Sequence, residues 1–149
     1  IRSEMQNILL DLQSELHKTI IFITHDLDEA LKIGDRIAIL RDGSMVQDSD
    51  PQEIIMNPAD EYVSDFIKDI NRARVIQAKS IMTPTNSKSS GATVREEMVL
   101  EDILQIMSDA PSKPVTIENS KGKITGKIEM VNLIEGMKRP KSLGTNITG

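Results

Sequence analysis

Hydrophobic positions at the start of the chain recur every three or four residues, which is the spacing of one helix face. They are Met5, Ile8, Leu9, Leu12 and Leu16. This pattern predicts an amphipathic helix over residues 1–18, with its apolar side packed against the rest of the fold.

The pattern then changes to a continuous apolar run over residues 20–23, Ile-Ile-Phe-Ile, which ends in Thr24-His25-Asp26. A run this short, rich in β-branched residues and apolar at every position predicts a strand buried on both faces of a sheet. Open α/β sheets bind their ligands at the carboxyl ends of strands, and His25 occupies that position. Asp26 is expected to cap a helix that begins at Leu27.

A second strand is predicted over residues 36–40, Arg-Ile-Ala-Ile-Leu. The pair Asp42-Gly43 is typical of a two-residue hairpin turn and should join this strand to the next one, over residues 44–47. Asp50-Pro51 then predicts the cap and first turn of a short helix, which Asn57-Pro58-Ala59 ends.

A further helix is predicted before a domain boundary at Asn71-Arg72-Ala73-Arg74. One face of this helix carries Tyr62, Val63, Phe66, Ile67 and Ile70. We expect Tyr62 and Phe66 to be core residues.

From Val75 to Pro140 the pattern predicts a second, smaller α/β unit. Its elements are a helical turn ended by Pro84, a loop over 86–91, a helix marked by Leu100, Ile103, Leu104 and Met107, strands over 114–118 and 124–128, and a helix over 130–138. Residues 141–149 are polar, and we expect them to be a disordered tail.

Composition excludes several classes of protein. The chain of 149 residues has no cysteine, which excludes a disulfide-stapled scaffold. No apolar run approaches the roughly 18 residues that cross a bilayer. A net charge of −5 and an aromatic content of 2% argue against nucleic acid as a partner. No metal site is predicted within the chain.

The stretch from Thr19 to Pro51 resembles the C-terminal part of ABC transporter ATPase subunits. The similarity covers Ile1 to about Asp69, and LDEALKIGDRIAILRDG is most similar to the ATPases of glycine betaine/proline betaine importers. The resemblance implies that His25 is the switch histidine, a catalytic residue that contacts the γ-phosphate of ATP. It also implies that Thr24 and Asp26 support the position of His25.

Three motifs that such an ATPase needs do not occur in the printed sequence. They are the phosphate-binding G-x-x-x-x-G-K-[S/T] loop, an apolar strand that ends in Asp-Glu and holds magnesium, and an LSGGQ-type signature. The resemblance therefore implies a C-terminal fragment of a longer subunit, which uses ATP and Mg²⁺. We expect neither to bind tightly to the fragment, and the fragment alone to be inactive.

The helix–strand–turn–strand–helix order of the second unit resembles a CBS regulatory module, over about Ala78 to Arg139. CBS modules work in pairs, and a single module implies pairing with a second copy. The positions that contact nucleotides in this family match Glu129 and Asn132. Because Glu129 would repel a phosphate and Asn132 is a poorer ribose acceptor than Asp, we expect no ATP or AMP binding of the usual kind.

The second unit also contains the most basic segment of the chain. Its residues are Lys121, Lys123, Lys127, Lys138, Arg139 and Lys141. Three interpretations are open: contact with anionic lipid headgroups, sensing of ionic strength by screened surface contacts, and a plain solvated surface, which we favour.

These observations predict an α/β fold in which residues 1–72 form the C-terminal part of a P-loop-type ABC ATPase domain and residues 75–140 form a single CBS-like module. We expect a subunit that energises osmolyte import from the inner face of the cell membrane. Its implied partners are a second ATPase subunit in a homodimer, transmembrane permease subunits and, indirectly, a periplasmic or lipid-anchored binding protein. The alternatives are a stand-alone CBS-type regulatory or interaction protein without ATPase activity, and a fragment with no independent function.

Overall fold

The computed structural model describes residues 18–139, together with Glu4, Met5, Ile8, Leu9, Asp11, Leu12 and Glu15. Those seven residues are helical, as predicted, but Met5, Ile8 and Leu12 on the predicted apolar face are exposed, so the expected packing of this face against the rest of the fold is wrong for the described residues. Leu16, Lys141 and the predicted tail lie outside the described residues.

The described part is mixed α/β, as predicted. Its helices are α1 (Leu27–Ile33), α2 (Pro51–Met56), α3 (Glu61–Phe66), α4 (Ala78–Ile81), α5 (Leu100–Ser108) and α6 (Met130–Met137), with a 3₁₀ turn at Arg72–Arg74. Its strands are β1 (Ile37–Arg41), β2 (Ser44–Ser49), β3 (Thr83–Pro84), β4 (Thr93–Arg95), β5 (Val115–Glu118) and β6 (Ile124–Ile128). None of the helices in this part has the length and apolar character that crossing a bilayer requires.

The hairpin of β1 and β2 forms around Asp42-Gly43, as predicted. Asp42 has φ 51° and Gly43 has φ 78°, the two positive values that a tight hairpin turn of the primed type needs. Ile37 and Ile39 alternate along β1 and are buried. The hairpin therefore presents one apolar face to the core.

The predicted strand over residues 20–23 does not form. Residues 18–24 belong to no helix or strand, and Ile21 and Ile23 expose 87% and 91% of their surface. Within the described part, the sheet nearest in sequence contains only β1 and β2. A strand apolar on both faces needs neighbours on both sides, and no described strand pairs with this segment.

Phe66 is 42% exposed, so its assignment to the core is wrong. It lies in the last turn of α3, where its ring stacks on that of Tyr62 with 6.2 Å between the centroids. The Arg41 guanidinium covers the Tyr62 ring at 4.8 Å from its centroid, a cation–π contact. This pair covers the edge of the core, while Val63 fills it.

The second unit contains a four-stranded sheet in the order β3-β6-β5-β4. β4 and β5 are parallel and are connected through α5, whereas β5 and β6 form an antiparallel hairpin followed by α6. β3 and β4 were not predicted, because strands of two and three residues are too short to show an alternating pattern. Ile103 of α5 and Leu133 of α6 are fully buried.

Buried apolar residues from both sides of the predicted boundary at Asn71-Arg72-Ala73-Arg74 form one cluster, so the chain is packed continuously across this junction. Gln52 of α2 donates to the Val75 carbonyl at 2.8 Å, and its Oε1 accepts from the Gln77 amide and the Ser80 hydroxyl, both at 2.9 Å. One amide side chain therefore satisfies three groups at the start of the second unit.

Arg72 makes a second connection across the junction. Its Nη1 donates to the Ile55 carbonyl at 2.5 Å and its Nε to the Gly136 carbonyl at 3.2 Å, so it joins α2 to α6. Burial lowers the pKa of Arg72 from its ordinary value, although the guanidinium stays charged at neutral pH.

Replacing Arg72 by methionine should destabilise the chain, because two backbone carbonyls lose a charged donor. We expect Arg72→Met to lower the free energy of unfolding by about 1.5–3 kcal/mol, measured by urea unfolding. Arg74→Met is the matched control, because the exposed Arg74 pairs only with Glu101 on the surface, at 3.2 Å. That change should cost about 1 kcal/mol or less. Equal losses in both variants would contradict the structural role of Arg72.

Candidate functional site

His25 lies in a bend between segment 18–24, which belongs to no helix or strand, and the first turn of α1. Its side chain is exposed, whereas Thr24 and Asp26 on either side are half-buried. The bend thus holds its neighbours against the protein and leaves the imidazole accessible.

Hydrogen bonds on both sides of His25 fix the bend. Asp26 is the N-cap of α1, as predicted, and its Oδ1 accepts from the Glu29 amide at 3.2 Å. The Asp26 amide donates to the Thr24 hydroxyl at 3.0 Å. The Thr24 hydroxyl in turn donates to Glu29 Oε2 at 2.7 Å. Thr24 and Asp26 therefore hold the backbone on either side of His25, and their supporting role at a catalytic site stays a prediction.

Chemically, the bend offers one group to a ligand. An exposed imidazole can donate a hydrogen bond to a phosphate or carboxylate. Asp26 is engaged in capping and Thr24 in two hydrogen bonds, so neither is placed to act on a ligand directly.

Sequence reasoning did not single out Glu29, whose side chain is 9% exposed and bonds to Thr24. A signal for it exists in the sequence. An N-cap residue followed three positions later by Glu is the pattern of a capping box, and Asp26-Leu27-Asp28-Glu29 has that spacing.

Glu129 and Asn132 lie at the start of α6, and no hydrogen bond or ion pair in the described part joins them to the His25 bend. Glu129 Oε1 pairs with Lys127 Nζ at 2.6 Å. Asn132 Oδ1 accepts from the Glu129 amide at 2.8 Å. Both side chains are thus engaged in the local structure of the helix start.

A cavity of about 400 Å³ opens beside Glu129. It is lined by Pro111, Ser112, Pro114, Glu129, Met130 and Val131. Its one charged lining residue is the carboxylate of Glu129, so this cavity has no cation to receive a phosphate.

The predicted basic segment is partly neutralised. Lys127 pairs with Glu129, and Lys138 pairs with Glu135 in the next turn of α6. Lys121 and Lys123 flank the exposed turn between β5 and β6. The segment is therefore less cationic than the sequence implies.

Side-chain clusters that bind metal ions are absent from residues 18–139 and the described positions before them. No group of three or more His, Asp or Glu side chains there could hold an ion. The described residues offer an exposed imidazole to a phosphate.

Comparison with known proteins finds relatives whose names agree with one another. The chain is 59% identical over 81 residues to the glycine betaine/carnitine transport ATP-binding protein GbuA of Listeria monocytogenes, covering 54% of this chain and 20% of that protein. It is 56% identical over 82 residues to the glycine betaine transport ATP-binding protein OpuAA of Bacillus subtilis, covering 55% and 20%. No family model matches the chain.

A longer match extends over both units. The chain is 40% identical over 136 residues to the trimethylamine N-oxide transport system ATP-binding protein TmoW of Pelagibacter ubique, covering 90% of this chain and 39% of that protein. The chain therefore spans between about a fifth and two fifths of the length of these relatives.

Substitutions at Asn132 test whether it acts as a helix cap. Asn132→Ala removes the acceptor of the Glu129 amide and should lower the free energy of unfolding by about 1 kcal/mol. Asn132→Asp keeps an acceptor oxygen and should retain most of the stability. Urea unfolding of both variants checks this, and equal stabilities would contradict a capping role.

Proposed function

We propose that this chain is part of a longer subunit that hydrolyses ATP to energise import of an osmolyte. Its similarity to transport ATP-binding proteins supports assigning this subunit to the ABC transporter family. The solute class we propose is glycine betaine, proline betaine or a related quaternary amine. The observation that carries the proposal is an exposed His25, held in a fixed bend at the end of an apolar segment, in a chain whose relatives are named transport ATP-binding proteins.

In the proposed subunit, His25 donates a hydrogen bond to the terminal phosphate of ATP and helps to orient the attacking water. A donor that is already in place acts where charge develops in the transition state and needs no reorganisation at that moment. The capped bend supplies this preorganisation, because Thr24 and Asp26 hold the backbone on both sides of His25. Mg²⁺ supplies neutralisation of the phosphate charge when bound.

The phosphate loop and the magnesium ligands are proposed to come from upstream sequence of the same subunit. The printed sequence contains neither motif, while the imidazole of His25 is exposed in the described part of the chain. We therefore propose that the chain alone binds ATP weakly and does not turn it over.

The proposed partners follow from the transport role. A second ATPase subunit completes a homodimer, which moves two transmembrane permease subunits from the inner face of the cell membrane. A periplasmic or lipid-anchored binding protein delivers the solute. No described helix is long and apolar enough to cross the bilayer, and Lys121 and Lys123 are exposed for the proposed contact with anionic headgroups.

We further propose that residues 75–140 are a CBS-like regulatory module attached to the ATPase part, residues 1–72. Support comes from the β4–α5–β5–β6–α6 order and from the single sheet that these elements share with β3. Through Gln52 and Arg72 the module contacts α2, which gives regulation a physical route.

The first test is the DNA sequence upstream of the Ile1 codon. The proposal expects an open frame that encodes a strand ending in Asp-Glu and, further upstream, a G-x-x-x-x-G-K-[S/T] loop. A stop codon and a ribosome-binding site close to Ile1 would instead favour a stand-alone regulatory protein, in which His25 has no catalytic role.

In the full-length subunit, His25→Ala should reduce kcat for ATP hydrolysis by about 10²–10³-fold, because a preorganised donor is lost. ATP affinity should change little, since the other phosphate contacts remain. His17→Ala, which removes the other histidine of the chain, is the control and should retain the normal rate. Steady-state kinetics and nucleotide titration measure the two effects, and an unchanged kcat in His25→Ala would refute the catalytic role.

A further inference from the structure

Glu29 is the one charged residue that is buried in the part of the chain that the structure describes. Burying a carboxylate is costly unless hydrogen bonds compensate it. One compensating bond is the donation from the Thr24 hydroxyl at 2.7 Å. The first turn of a helix also favours negative charge, and Glu29 lies there.

The hydrogen bonds of Glu29 differ from those of an ordinary capping box. In that motif the Glu side chain bonds the N-cap amide directly. Here the Thr24 hydroxyl lies between them, donating to the Glu29 carboxylate and accepting from the Asp26 amide at 3.0 Å. The ring closes where the Glu29 amide donates to Asp26 Oδ1 at 3.2 Å.

This ring encloses the backbone of His25 without touching its imidazole. Before His25, the ring holds Thr24 by its side-chain hydroxyl. After His25, it holds Asp26 by both its backbone amide and its side-chain carboxylate. A carboxylate is a stronger acceptor than a neutral oxygen, so it orients the Thr24 hydroxyl with its lone pairs toward the Asp26 amide. The direction of the bend therefore depends on the acceptor at residue 29.

We propose that Glu29 is a positioning residue for His25 and acts through the Thr24 hydroxyl. The inference rests on the proposed function, because it assigns Glu29 a part in the same phosphate contact. Loss of the ring leaves His25 present but poorly aligned, and a misplacement of about 1 Å can cost about a hundredfold in rate.

The test uses the full-length subunit and two variants that open the ring. Glu29→Ala removes the acceptor, and Thr24→Val replaces the hydroxyl by a methyl group of similar size. Each should lower kcat for ATP hydrolysis about ten- to hundredfold with little change in KM for ATP. Asp28→Ala, an exposed acidic residue of the same helix turn, is the matched control and should keep the wild-type kcat.

Conservative variants and a double-mutant cycle separate positioning from general stability. Thr24→Ser and Glu29→Gln keep a hydroxyl and an acceptor oxygen and should retain most of the activity. The double variant Thr24→Val/Glu29→Ala should lose no more than the larger single loss, because both changes open the same ring. Thr24→Val also tests the inference by itself if Glu29→Ala fails to fold.

The decisive measurement is Glu29→Ala in a His25→Ala background. If Glu29 acts through His25, the second substitution should cause no further loss of kcat. If Glu29→Ala lowers kcat in the His25→Ala background as much as it does in the wild-type background, Glu29 is a structural residue only and the inference is overturned. A normal kcat in the Glu29→Ala and Thr24→Val single variants would also overturn it. An unchanged kcat in His25→Ala itself would instead overturn the proposed function.

Discussion

Buried backbone amides and carbonyls that no helix or strand satisfies need another partner, and side chains supply it at several key places in the described part of the chain. Gln47 holds the loop after α2, donating to the Asn57 carbonyl and accepting from the Ala59 amide. Gln52 and Arg72 do the same across the junction between the two units. Side chains are satisfied as well, since no buried side-chain nitrogen or oxygen in the described residues lacks a partner.

Features set by a few neighbouring residues were predictable from the sequence. Asp26 and Asp50 cap α1 and α2 because a short acidic side chain reaches amides two or three residues ahead. Asp42-Gly43 turns the hairpin because both residues tolerate positive φ. The cap that follows His25 was predictable from the same local chemistry, whereas the predicted place of His25 at the end of a buried strand is wrong, because residues 20–23 form no strand in the described structure.

Features that depend on distant residues were not predictable. The run over residues 20–23 has the composition of a buried strand, yet a strand is defined by partners, and its own sequence cannot supply them. Phe66 satisfies the helical period but lies at the end of α3, where stacking on Tyr62 replaces burial. The bond from Thr24 to Glu29 spans five positions and depends on the bend itself, so composition and period gave no sign of it.

The exposed segment Ile20-Ile21-Phe22-Ile23 also bears on solubility. It is rich in β-branched residues, uncharged and free of proline, which are properties of segments that assemble into cross-β fibrils. Because this segment is exposed and no described strand pairs with it, its backbone can pair with the same segment of another chain. The extent of such pairing depends on protein concentration, so the segment sets a limit on the concentration at which the chain stays dispersed.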